Sequence, residues 1–143
     1  MSRNRTVVSI VVALVVAGCA ATPKDNPTLY SRLGGEPVVR RVVTETIDRA
    51  AADPRTSRSF KDVKLQRVKD MIHDQICDLA GGGCPYKGDS MEKVHKGLKN
   101  TEAEMNIVVQ FLRDACDRAG VRPAEKNELL RLLAPMKRDI VTQ

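Results

Sequence analysis

Apolar side chains recur every three or four residues along most of this chain, the spacing that lays one stripe down the face of a helix. Val38, Val39, Val42, Val43, Thr46, Ile47 and Ala50 form the first long stripe. Pro37 suits its first turn, and Asp53-Pro54 stops it after about Ala52. Before it, Tyr30 to Leu33 reads as a short helix closed by Gly34 and Gly35. A third helix is predicted from near Asp62 to the Gly81–Gly83 triplet, with Leu65, Val68, Met71, Ile72, Ile76 and Leu79 as its stripe. Met91 to Leu98 makes a short helix. Thr101 to Glu104 has the pattern of a capping box that opens the longest one, with Met105, Val108, Phe111, Leu112, Ala115 and Ala119 facing inward and Gly120 at its end. Pro123 opens the last, whose apolar set is Leu129, Leu130, Leu132, Leu133, Met136 and Ile140. No segment from Thr28 onward alternates with period two, so the expected class is all-α.

The strongly β-branched run lies at the N-terminus and has another explanation. Arg3 and Arg5 form a basic start, Val7 to Val16 a short apolar stretch, and Val16-Ala17-Gly18-Cys19 follows. That stretch is shorter than the roughly 20 residues a spanning helix needs, so it reads as an export signal. Small residues before a cysteine resemble the bacterial lipobox. The resemblance implies cleavage after residue 18 and a lipid on Cys19, with a plain secretory signal as the alternative. Ala20 after Cys19 suggests, by analogy with lipoprotein sorting, the outer membrane facing the periplasm. The expected organisation is a signal peptide at 1–18, a lipidated tether at 19–27 and one domain at 28–143.

Composition narrows the function classes. The chain has 143 residues, enough for one cored domain, with 42% hydrophobic residues, only 3% aromatics and no Trp. Aliphatic side chains must therefore fill the interior. The formal charge of +6 becomes +4 once Arg3 and Arg5 are removed with the signal. The basic residues are scattered along the sequence among acidic ones without aromatic interleaving, which argues against a nucleic-acid groove and for a solvated, mildly basic surface. No pair of cysteines and histidines has the spacing of a zinc site. Export would place Cys77, Cys84 and Cys116 where thiols pair. Cys77 and Cys84 bracket a glycine corner that can bring them together, whereas Cys116 falls near the apolar face of the long helix as a buried free thiol.

The two histidines invite assignment. Gly81-Gly82-Gly83-Cys84-Pro85-Tyr86-Lys87-Gly88 turns the chain, and Ser90 to His95 then starts a helix with His95 one turn after Met91. Read with Tyr30, Gly34-Gly35, Asp53, Phe60, Met91, Gly97, Gly120-Val121 and Leu133-Ala134-Pro135, this order resembles the truncated haemoglobins, group 1 in particular, over about residues 28–141. The resemblance implies a two-over-two helical sandwich holding one b-type haem, with His95 as the proximal iron ligand. It implies a slot lined by Phe60, Ile47, Val68, Met71, Ile72, Met91, Val94 and Met105, with Phe60 against the haem face. A CxxCH attachment motif is absent, so the haem is expected to be held without thioether bonds of that kind. Oxygen or another diatomic gas is the expected ligand, and an electron donor a further candidate partner.

The distal side departs from that pattern. Group 1 members commonly place a Tyr on the second helix and a polar residue on the third, where this chain carries Ile47, Val68 and Ile72. A buried hydrogen bond to a charged ligand contributes about 1.5–3 kcal/mol, so its loss speeds oxygen release by roughly ten- to a hundredfold. Oxygen storage and nitric oxide dioxygenation are both put in doubt by this. Met71 falls where some members carry a sixth ligand, and His–Met ligation would suit electron transfer; the alternative is a core Met that fills a gap. His73 is turned about 100° from Ile72 and is expected to face the second helix or solvent. A haem-free envelope lipoprotein that keeps the fold for protein contacts is the remaining reading.

Overall fold

A computed structural model describes residues 26–143; the expected signal peptide, Cys19 and most of the expected tether lie outside the described residues. Among the described residues seven α-helices follow in order: α1 Leu29–Leu33, α2 Gly35–Ala52, α3 Leu65–Leu79, α4 Met91–His95, α5 Glu102–Arg118, α6 Pro123–Leu133 and α7 Lys137–Ile140. Short 3-10 turns occupy Ser57–Phe60 and Ala134–Met136. No strand is present among the described residues, in accord with the all-α expectation.

The layers follow from the stripes. The α2 stripe buries Val39, Val42, Val43, Thr46, Ile47 and Ala50, and α2 packs against both α5 and α3. α6 packs on α5, and α1 sits on α2 and α6. The pair α2–α3 thus lies across the pair α5–α6, the two-over-two arrangement. The core joins Leu29, Leu33, Ile76, Ala80, Ala115, Cys116, Val121 and Leu129 to the α2 stripe. All of these fall between residues 29 and 129.

Three helix limits differ from the periodic reading, each for a backbone reason. α3 begins at Leu65 rather than Asp62, because Asp62 takes φ 59°, a left-handed turn that no helix continues through. α4 stops at His95 rather than Leu98, because Gly97 takes φ 81°. The last stripe is broken at Ala134-Pro135, where the proline nitrogen has no hydrogen to donate, into α6, a 3-10 turn and α7.

The capping box forms as expected. Thr101 Oγ1 accepts from the Glu104 amide at 3.2 Å, and Glu104 Oε2 accepts from the Thr101 amide at 2.8 Å. Arg58 adds a long-range clip: it grips both Glu104 oxygens at 2.5 and 2.6 Å and donates to the Leu98 and Lys99 carbonyls at 2.7 and 2.8 Å. The Arg58 side chain, then the Thr101 amide, hold the Glu104 carboxyl well below the usual carboxylate range, at about 2. A carboxylate whose pKa falls on folding stabilises the fold above its unfolded pKa, and that share is lost as the pH drops toward the folded value. The protein is therefore expected to lose stability between about pH 4.5 and about pH 2. In acid titrations of the melting temperature, Arg58→Ala should flatten this portion; an unchanged acid limb would remove the clip from the account.

Candidate functional site

Most candidate site residues lie on α3 and α4. α3 packs chiefly against α2 and α4 chiefly against α7. Phe60, Leu65, Val68 and Ile72 are half-buried and lean on the core. Met71, Met91 and Met105 are also half-buried yet do not belong to the packed core, and Val94 is 46% exposed. Ile47 is buried within the core itself. Phe60 and the α3 stripe thus cover the core to which Ile47 belongs, while Met91 and Val94 stand on α4 beside His95.

Of the two histidines, His95 is the one that is not buried. It ends α4, which Ser90 caps through its side chain. Its Nδ1 lies 2.8 Å from the Met91 carbonyl. A carbonyl only accepts, so Nδ1 carries the proton and donates, which leaves the lone pair of the neutral ring on Nε2. That is the tautomer a metal-ligating histidine needs, with its ring already oriented by the hydrogen bond of its other nitrogen. Nε2 has no hydrogen-bond partner among the described residues. An oriented imidazole with partly covered apolar side chains on its own helix fits haem: a free nitrogen for iron and apolar groups for the macrocycle.

His73 occupies a different place from the one expected. It is 3% exposed, and its partner is on α1 rather than on α2 or in solvent. Nε2 lies 2.9 Å from the Tyr30 hydroxyl and Nδ1 lies 3.1 Å from Asp74 Oδ1. Both nitrogens are engaged, so this ring is a structural pin between α1 and α3. Thr46 is equally committed, its hydroxyl donating to the Val42 carbonyl at 2.7 Å. The distal wall of Ile47, Val68 and Ile72 offers no hydrogen-bond donor from its side chains.

Cys77 and Cys84 form a disulfide with Cα atoms 5.7 Å apart. It closes the glycine corner tightly: a Cβ on Gly82 would come within 2.4 Å of Cys77 Sγ and 2.7 Å of the Tyr30 ring, so only glycine fits. Cys116 is a buried free thiol, and burial pushes its pKa up to about 11. The Tyr30–His73–Asp74 chain was not visible in the sequence. Nor was Glu125, which is almost fully buried on α6 between Arg32 and Arg122, with Arg32 also reaching the Pro27 carbonyl. Such pairs join residues far apart in the chain and leave no periodic trace.

A two-over-two helical sandwich with an oriented histidine at the end of α4 is the arrangement of a truncated globin. The bacterial-like globin family profile matches residues 28–142. The group 1 truncated hemoglobin GlbN of Mycolicibacterium paratuberculosis is 31% identical over 118 residues, covering 82% of this chain and 87% of the relative. The group 1 truncated hemoglobin LI410 of Chlamydomonas moewusii is 30% identical over 135 residues, covering 89% of this chain and 78% of that one. In three dimensions, the truncated hemoglobin of Tetrahymena pyriformis in its Fe(III) form superposes with a TM-score of 0.76 at 26% identity, covering 82% of this chain and all of the other. The chain belongs to the bacterial-like globin family, as a group 1 truncated haemoglobin. It is a haem-binding globin built to take a ligand at the iron.

Proposed function

We propose that this globin holds haem b non-covalently through His95 Nε2 and binds oxygen or another diatomic gas at the cell envelope, anchored by a lipid on Cys19. The observation that carries the proposal is the His95 ring, fixed by the Met91 carbonyl through Nδ1 so that Nε2 is left for a ligand. When bound, haem would supply a redox-active iron able to take a diatomic ligand. The chain's own contributions are separate from that chemistry. His95 would hold the iron, Phe60, Met91, Val94 and Met105 would exclude water from the macrocycle, and Ile47, Val68 and Ile72 would make the ligand side apolar. Without a donor there, the site favours ligands of low polarity and rapid turnover of oxygen over storage. The absence of a CxxCH motif supports non-covalent attachment. Acidified butanone should strip the colour from the purified protein; haem that stays with the polypeptide overturns this part.

Met71 supports a second reading. It is half-buried on α3 without joining the core, so its thioether is left to serve as a sixth ligand, which would suit electron transfer. A six-coordinate ferrous spectrum lost in Met71→Ala would establish that reading.

The location rests on the Val16-Ala17-Gly18-Cys19 motif. Among the described residues no helix is long and apolar enough to cross a membrane. The protein should fractionate with outer membranes and take up labelled palmitate, and Cys19→Ser should abolish both. Recovery of an unlipidated chain, cleaved at another position, from wild-type periplasm would point to a plain secretory signal.

A further inference from the structure

The fold gathers charge that the sequence spreads out. Residues 1–25 hold Arg3, Arg5, Lys24 and Asp25, which leaves 21 basic and 17 acidic residues in the described chain. Lys61, Lys64, Arg67, Lys96 and Lys99 are all exposed, and none takes part in an ion pair among the described residues. Asp62 is the sole acidic residue within these two segments, 61–67 and 96–99. The five cations and Asp62 account for the net +4, and the remainder is balanced at 16 of each sign. Elsewhere unpaired cations such as Lys87, Arg113, Arg131 and Arg138 stand among a balanced number of acids, and others are matched directly, as in Lys69–Asp48, Lys93–Asp89, Lys126–Asp117 and Lys137–Glu102.

The two segments are held together. Arg58 donates to the Leu98 and Lys99 carbonyls, and Ser59 Oγ bonds Asn100 Oδ1 at 2.8 Å. Arg58 itself is neutralised by Glu104. One segment directly follows Phe60 and the other directly follows His95, so the cations form a rim beside two of the residues proposed to hold the haem. The two carboxylates of a haem could offset at most half of the surplus.

We propose that this rim is the docking surface for an acidic one-electron donor protein, an inference that rests on the haem reading above. An anionic membrane surface is the less favoured partner, because the tether enters the fold elsewhere. Thr28 lies against Gly81 and the Tyr30 amide bonds the Ala80 carbonyl, both at the C-terminal end of α3. Lys61, Lys64 and Arg67 are at its N-terminal end, and 15 residues of helix separate the two by about 22 Å. The rim therefore sits away from the point of attachment. Charge complementarity of this kind steers encounter and is screened by salt.

The test uses residues 26–143, which span the whole region matched by the globin family, and reduced or oxidised plant-type ferredoxin as the acidic probe. Binding of oxidised ferredoxin to the haem-free chain is followed by nuclear magnetic resonance, and reduction of the haem-loaded chain by stopped flow. Affinity and rate should each fall at least about tenfold between about 20 and about 300 mM salt. Lys64→Glu with Lys96→Glu should cause a similar loss at low salt, while Arg131→Glu on α6 should change neither. Equal effects of the two variants, no effect of the double variant, or tighter binding to phosphatidylglycerol vesicles than to ferredoxin would overturn the proposal. A missing Soret band would instead count against the haem reading, and the haem-free binding arm is unaffected by it.

Discussion

His95→Ala is expected to yield a folded but nearly colourless protein. The His95 ring bonds within its own short helix, and the buried core is assembled from α1, α2, α3, α5, α6 and Val121 without it. Helical circular dichroism and the melting temperature of the haem-free chain should therefore change little. Haem affinity should fall by at least about a hundredfold, since the axial bond is lost and only apolar burial remains. External imidazole should restore part of the Soret band by filling the space the side chain leaves. The opposite pattern is expected at the other histidine. His73→Ala removes the acceptor for the Tyr30 hydroxyl in a nearly dry setting and should cost about 1–3 kcal/mol of stability without changing the haem spectrum. If His95→Ala keeps the wild-type ferrous spectrum while His73→Ala loses it, the proximal assignment is wrong.

Oxygen dissociation is the second quantity expected to move far. With Ile47, Val68 and Ile72 on the ligand side, and with the Thr46 hydroxyl and both His73 nitrogens engaged elsewhere, the wild type should release oxygen quickly and autoxidise readily. Carbon monoxide is less polar and should lose little, so its affinity relative to oxygen should be high. Ile47→Tyr places a hydroxyl in that wall and should slow oxygen release about ten- to a hundredfold, as a hydrogen bond of about 1.5–3 kcal/mol would. Flash photolysis and oxygen-displacement kinetics measure both. A wild type that already releases oxygen slowly would mean that half-buried Gln75 reaches the ligand.

What could be read from the residues alone was whatever repeats locally. The α2 and α5 stripes, the Thr101 box and the Pro123 start each follow from neighbours within a turn or two, and each stands in the structure. The helix limits at Asp62 and Gly97 were misjudged because a stripe records which face is apolar and says little about the backbone angle that stops it. His95 was legible only as part of an ordered set of marks; its tautomer needed the distance to the Met91 carbonyl. The charge pattern was the least readable. Lys61, Lys64, Arg67, Lys96 and Lys99 look scattered in the sequence, and only the Arg58 clip shows that the loops carrying them share one rim. Tyr30 and His73 are 43 positions apart and give no local sign that they meet.

The packed core is assembled without Met71, Met91, Met105 or His95, and this separation has a bearing on how such a sequence can diverge. The side chains that hold α1, α2, α5 and α6 together are not the ones proposed to hold the iron or to stand beside it. Changes at the second set therefore need no compensating change in the first, so ligand chemistry can drift while the scaffold is kept.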